Sequence, residues 1–245
     1  MTGPESPGAA GSRRAQLAAN LIAVRARIEA ACHSAGRDVS GITMIAITKT
    51  HPASDVRLLA ELGVTNVGEN RDQEAAPKAA EVTRLGVTSL TWHFVGQLQT
   101  NKAASVARYA GVVHSVDRDR LVHALATQAR RAGRTITCLI QVSLDEDPAR
   151  GGALPGQVPA LADAVAAEDG LVLGGVMAVA PLGEPPPAAA FARLAAIAAD
   201  LRAAHPAATM VSAGMSADLE EAISAGATHL RVGTALLGAR STFVG

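Results

Sequence analysis

The stretch Ile42-Thr43-Met44-Ile45-Ala46-Ile47-Thr48-Lys49 reads as a buried strand that closes on a charge. Its apolar run is of strand length, and Lys49 stands where the strand gives way to a loop. Lysine is scarce here: Lys49, Lys78 and Lys102 are the only lysines among 22 basic residues. A guanidinium stays protonated in proteins, whereas a desolvated lysine amine can lose its proton and attack an aldehyde. The competing reading is a lysine whose stem lies on apolar surface while its ammonium reaches water.

Outward from this strand the pattern repeats. A helix with apolar spacing precedes it, over about 12–35, and Gly36 ends it. After it comes a recurring order of short apolar run, loop, Ala-rich amphipathic helix and glycine. Further strands are expected at 66–67, 89–95, 112–116, 136–143, 172–179, 209–212 and 230–232. Helices are expected between them at 53–62, 72–85, 101–109, 119–132, 157–167, 187–204 and 218–225. Alternating β and α units imply a parallel sheet, and this number of them a single closed (β/α)8 TIM-type barrel with an extra N-terminal helix. An open doubly wound sheet is the alternative; no Gly-rich GxGxxG turn follows the first strand to support it. Residues 1–11, rich in Gly, Pro and Ala, are expected to be a disordered tail, and 12–245 one barrel domain.

Composition narrows the function. A chain of 245 residues that is 49% hydrophobic has material for a large core. Its formal net charge of zero argues against a general nucleic-acid binder, which carries a basic face. Cys32 and Cys138 lie far apart without a CxxC spacing, as reduced thiols in a cytoplasmic protein do. No signal-peptide core or membrane-length apolar stretch is apparent.

In such barrels the site gathers at the carboxyl ends of the strands. Two loops there have the composition of an anion cradle: Ser212-Ala213-Gly214-Met215-Ser216-Ala217 after the seventh strand, and Gly233-Thr234-Ala235 after the eighth. Small residues let backbone N–H groups approach an anion, and a helix opening at Asp218 adds its unpaired N–H groups. Ordinary turn chemistry would use the same residues. Alternation in Leu230-Arg231-Val232 points Arg231 into the lumen if its neighbours face the helices. A buried guanidinium needs an acceptor, which a ring nitrogen, a phosphate or a structural carboxylate would supply. Tyr109, the only tyrosine, ends the third of the helices between strands and is expected at the opposite barrel face.

Lys49 with a barrel-top phosphate site suits pyridoxal phosphate (PLP), which brings an aldehyde and a phosphate. The chain resembles the pyridoxal phosphate homeostasis proteins, which look like the barrel domain of alanine racemase without its second domain. The resemblance rests on Ile45-Ala46-Ile47-Thr48-Lys49-Thr50, Val67-Gly68-Glu69-Asn70, Trp92-His93-Phe94-Val95-Gly96-Gln97-Leu98-Gln99-Thr100-Asn101-Lys102, Ser212 to Asp218, and Arg231-Val232-Gly233-Thr234. It implies Lys49 as the Schiff-base lysine and Ser212, Gly214, Met215, Ser216, Gly233 and Thr234 as the phosphate cradle. It also implies Arg231 near the phosphate or pyridine nitrogen, Asn70 near the ring and Met177 packed by the cofactor. Ala213 and Ser143 depart from the family pattern, where methionine and asparagine are usual. His93 reads as a hydrogen-bonded core histidine, His51 as a solvated rim residue, and Lys102 as a surface cation. Glu69 either supports Asn70 or lines the mouth.

Three functions compete: a PLP holder or carrier without turnover, a PLP-dependent amino-acid racemase, and a Schiff-base aldolase. The racemase-type barrel takes a tyrosine from a second domain that this chain lacks, and an aldolase needs carboxylates beside its lysine. The carrier reading is therefore preferred, with apo PLP-dependent enzymes as possible recipients, a cytoplasmic location and a monomeric state.

Overall fold

A computed structural model describes residues 7–145, 151–181, 183 and 185–238. Eight strands pair in parallel and in chain order to close a barrel: β1 (Thr43–Ile47), β2 (Asn66–Glu69), β3 (Thr91–Phe94), β4 (Val112–Val116), β5 (Ile136–Gln141), β6 (Leu171–Met177), β7 (Met210–Ser212) and β8 (His229–Val232). Pairing of β1 with β8, which sets Ile45 beside Arg231, completes the ring and excludes the open sheet. Around it lie α1 (Pro7–Ser34), α2 (Ala53–Glu61), α3 (Asp72–Arg84), α4 (Ala103–Tyr109), α5 (Asp119–Arg131), α6 (Val158–Ala166), α7 (Pro187–Ala204), α8 (Leu219–Ser224) and α9 (Thr234–Leu237).

The period of two along each strand makes two cores. Ala46, Val67, Phe94, Val113, Ile140, Val176, Val211 and Val232 face outward and pack with helix residues such as Leu59, Val82, Leu125 and Leu194. Each large aliphatic or aromatic side chain buried there contributes roughly 1.5–3 kcal/mol. The other set faces the lumen. Val112, Leu139 and Met177 form a separate small cluster there with Met210 against it.

Helix α1 starts earlier than the sequence pattern implies. It begins at Pro7, so residues 7–11 are helical and not a tail. Proline suits the first helical position, and extending a helix that is already docked fixes one residue per bond gained. Residues 1–6 of the expected tail lie outside the described residues. The docking stripe is Leu17, Leu21, Val24 and Ile28, all buried, and α1 packs against α8, α9 and α2. At the other end of the chain, α9 is an element that the alternating pattern does not announce. Asp218 does not open α8 but sits at its N-cap position.

Candidate cofactor site

At the carboxyl ends of the strands lies a cleft of about 500 Å³, lined by Lys49, Asn70, Met215, Ser216, Arg231, Gly233 and Thr234 together with Ile47, Thr50, His51, Val95, Gly96, Val179, Ala217 and Gly238. Its volume falls in the range of small-molecule sites. Seven of the ten residues expected at the site therefore meet in one place. The other three do not line it. Met177 is buried among Val112, Leu139 and Met210, deeper in the lumen. Ser212 is fully buried and turned toward Arg231 and His114. Gly214 makes the turn behind the cradle: its φ is +86°, and a Cβ there would lie 2.5 Å from the Ala222 Cβ, so glycine is required for α8 to pack this close.

Lys49 is delivered by the end of β1. Its predecessor Thr48 faces outward, where its hydroxyl donates to Glu69 Oε1 at 2.7 Å. Lys78 on α3 donates to the same carboxylate oxygen at 2.6 Å and to the Thr48 carbonyl at 2.7 Å. Glu69 is thus neither mouth nor ring support; it anchors the strand end from behind. Its side chain is inaccessible to solvent, and burial raises its pKa although Lys78 and Thr48 oppose that shift. Beyond Lys49, Thr50 has φ +67°, a left-handed conformation that costs a β-branched residue on the order of 1–3 kcal/mol. This strain turns the chain sharply just past the amine. Asn70 is held by contact with the next loop, since a Cβ on Gly96 would fall 2.1 Å from the Asn70 carbonyl oxygen.

Arg231 points inward, as the alternation predicts, because Leu230 and Val232 belong to the outer core. Its guanidinium donates to Ser212 Oγ at 2.6 Å and to the Ala178 carbonyl at 2.8 Å. No carboxylate accepts these bonds, so the structural ion pair considered from sequence is not what holds it. Burial lowers its pKa to about 10 and Asp218 opposes this, which leaves a cation at neutral pH. Five N–H groups on a guanidinium leave donors for a bound molecule.

The two cradle loops are tied to each other and to α1. The Ala235 N–H donates to Ser216 Oγ at 3.3 Å, and the Met215 N–H donates to Asp218 Oδ1 at 2.6 Å. From α1, Arg27 donates to the Ser216 carbonyl at 3.1 Å, Asn20 to the Leu236 carbonyl at 2.9 Å, and Arg13 to the Leu237 carbonyl at 3.1 Å. Asn20 and Arg13 thereby satisfy carbonyls that the short helix α9 leaves open. Nothing in the sequence reading assigned α1 this role.

His51 is not a solvated rim residue. Its side chain is 14% exposed, with Nδ1 3.4 Å from Asp55 Oδ2, and burial lowers its pKa against the pull of that carboxylate. His93 is the buried, hydrogen-bonded histidine that the sequence implies. Tyr109 lies outside the barrel, edge-on to Trp92 with ring centroids 6.3 Å apart. Burial raises its pKa, and the nearby carboxylates of Asp72 and Glu69 raise it further. Among the described residues no tyrosine lines the cleft.

This parallel barrel falls in the class of the alanine racemase N-terminal domain, whose family model matches residues 19–241. The chain belongs to the pyridoxal phosphate homeostasis protein family. It is 44% identical over 244 residues to the protein of that name from Mycobacterium bovis, covering 93% of this chain and 94% of that one. The Escherichia coli relative is 39% identical over 226 residues, covering 91% and 97%. PipY of Synechococcus elongatus, solved with PLP bound, is 35% identical with a TM-score of 0.79, covering 91% of this chain and all of that one. Alanine racemase of Corynebacterium glutamicum, at 14% identity and a TM-score of 0.67, shares the fold alone.

Proposed function

We propose that this chain binds pyridoxal 5'-phosphate in the barrel-top cleft and serves intracellular PLP homeostasis as a holder or carrier, without turnover of its own. One observation carries the reading: the Lys49 amine and the donor-only Arg231 guanidinium open onto the same cleft as two small-residue loops. Relatives named for PLP homeostasis, and PipY with PLP bound, support it.

The residues present fit the group. When bound, PLP supplies an aldehyde carbon, a pyridine nitrogen and a phosphate. Lys49 would bond the aldehyde carbon. Met215, Ser216, Gly233 and Thr234 would hold the phosphate, with Gly214 shaping their loop from behind. Arg231 would meet the ring nitrogen or the phosphate, and Asn70 the ring. Met177 and Ser212 act from deeper in the lumen, Ser212 through its bond to Arg231.

The carrier reading follows from what the lining can do. A racemase moves protons at both faces of a substrate carbon, so it needs an acid/base group on each. Among the described lining residues His51 is the one side chain besides Lys49 suited to that work, and it is engaged with Asp55. A guanidinium opposite the ring nitrogen offers that nitrogen no proton it can readily release, which weakens the ring as an electron sink. Recipients of the cofactor would be apo PLP-dependent enzymes, and the chain would act as a cytoplasmic monomer. Among the described residues no helix is long and apolar enough to cross a membrane.

The test is spectroscopic. Purified protein given PLP should show a visible absorption band that borohydride bleaches and that Lys49→Ala lacks. A colourless protein that takes up no PLP would overturn the reading. Optical rotation of single-enantiomer amino acids should stay constant over the holo-protein; racemisation at ordinary enzyme rates would replace carrier by enzyme.

A further inference from the structure

Behind Arg231 a single file of hydrogen bonds runs through the lumen. Arg231 donates to Ser212 Oγ at 2.6 Å; Ser212 Oγ lies 3.0 Å from His114 Nδ1. His114 Nε2 lies 2.8 Å from His93 Nδ1, and His93 Nε2 lies 2.9 Å from Asn66 Oδ1. Ser212 is on β7 and His114 on β4, strands that are not neighbours, so this bond crosses the barrel interior. Asn66 is at the far end, where it lines a floor cleft with Thr43, Met44 and Thr65.

The floor end of the file fixes its direction, and the Arg231 end is compatible with it. Arg231 has donors only, so Ser212 Oγ accepts from it and keeps its own O–H free to donate to His114 Nδ1. At the floor, Asn66 donates its amide N–H to Thr65 Oγ1 at 3.0 Å, which leaves Oδ1 as the acceptor facing His93. His93 therefore carries its proton on Nε2 and accepts on Nδ1, and His114 does the same. One tautomer of each ring satisfies all four bonds. Such a file does not conduct protons, because a guanidinium and an amide oxygen close it. Its effect is to orient.

We propose that His114, His93 and Asn66 are positioning residues: through Ser212 they fix the Arg231 guanidinium in the cleft and so set the electronic environment of the pyridine ring bound there. The proposal rests on the PLP reading above. Neutral imidazoles are required, and the titratable and charged groups around them favour that state. Burial brings His93 to about 3, with His229 adding to the shift. His114 is held well below its ordinary value by burial, then by His93, Arg231 and His229.

Two experiments test it. In long-range ¹H–¹⁵N spectra of the wild-type protein, His93 and His114 should both be Nε2–H tautomers between pH 6 and 8; an Nδ1–H tautomer at either overturns the chain. The second compares His114→Leu with His114→Gln, whose amide can accept from Ser212 and donate to His93. The leucine variant should bind PLP about tenfold more weakly, as loss of a bond supporting a charged group implies. The visible band of its bound PLP should also move in position or in pH dependence. The glutamine variant should restore both to within about twofold of wild type, a bond-for-bond replacement. A purely structural role would lower thermal stability and leave the band in place, which would overturn the proposal. If the leucine variant does not fold, Asn66→Ala carries the same comparison from the floor, with an effect of about threefold expected for a neutral bond; no effect there overturns it. A wild-type protein that takes up no PLP defeats the functional reading and this proposal with it, while the tautomer spectrum still decides whether the chain exists.

Discussion

The two walls of the cleft are held in opposite ways. The Lys49 wall is anchored by a buried pair behind the strand, Glu69–Lys78, whose side chains are 0% and 9% exposed. The cradle wall is anchored from outside, by α1 side chains such as Arg27, which is 39% exposed where it pairs with Glu220. A buried pair is a costly thing to break, because the survivor keeps its charge without water, whereas an exposed pair is replaced by solvent. The Lys49 wall is thus a fixed post, and the cradle wall a part that can be loosened without unfolding the barrel.

The difference can be broken at several strengths. Lys78→Met strands the Glu69 carboxylate and should cost up to about 5 kcal/mol in urea unfolding. Adding Glu69→Leu should recover half or more of it, since an apolar pair of similar volume carries no desolvation penalty. Equal losses in the single and double variants would show that packing, and not charge, holds this wall.

Acid should come next, and it acts between the walls. His93 and His114 are neutral in the fold but protonate near 6.5 once unfolded, so their contribution is present above that value and lost as the pH falls through it. Two such groups should remove about 4 kcal/mol between pH 7.5 and 5.0, and a His93→Gln/His114→Gln variant should flatten the slope in urea titrations. Glu69 acts with the opposite sign. Its folded pKa is raised above 4.5, so lowering the pH toward 4.5 favours the fold.

Gly214→Ala should cost about 2 kcal/mol, from a positive φ and a Cβ pressed on Ala222, and should weaken PLP retention with it. Arg27→Ala is the mildest. Thermal denaturation should shift by less than about 1 kcal/mol, while PLP should leave several-fold faster, because the Ser216 carbonyl loses its tether. Unchanged release from Arg27→Ala would mean that α1 does not govern the cradle.

Much of this was legible because two short periods carry it. Alternation along Leu230-Arg231-Val232 is enough to send Arg231 inward, and the β/α rhythm is enough to put Lys49 and the cradle loops at one end. Alternation states which face a residue takes, not its depth. Met177 and Ser212 do face the lumen, but the stagger of the strands leaves them below the cleft. Lys78 carries a signal of its own: it falls on the buried α3 stripe with Ala75, Ala79 and Val82, where a charge demands a partner. The strained Thr50 and the α1 tethers had no local signature, since both depend on segments distant in the chain.

Those tethers also set an order of assembly. Arg13 and the Leu237 carbonyl are separated by 224 positions, yet the bond between them helps close the cradle. Contacts so distant in sequence form late, after the intervening chain has been ordered. During synthesis α1 emerges long before β8 and α9 and must wait for them to form these bonds. On this timetable a ribosome-bound chain already carries the Lys49 strand while the loops after β7 and β8, proposed above to hold a phosphate, are still unformed.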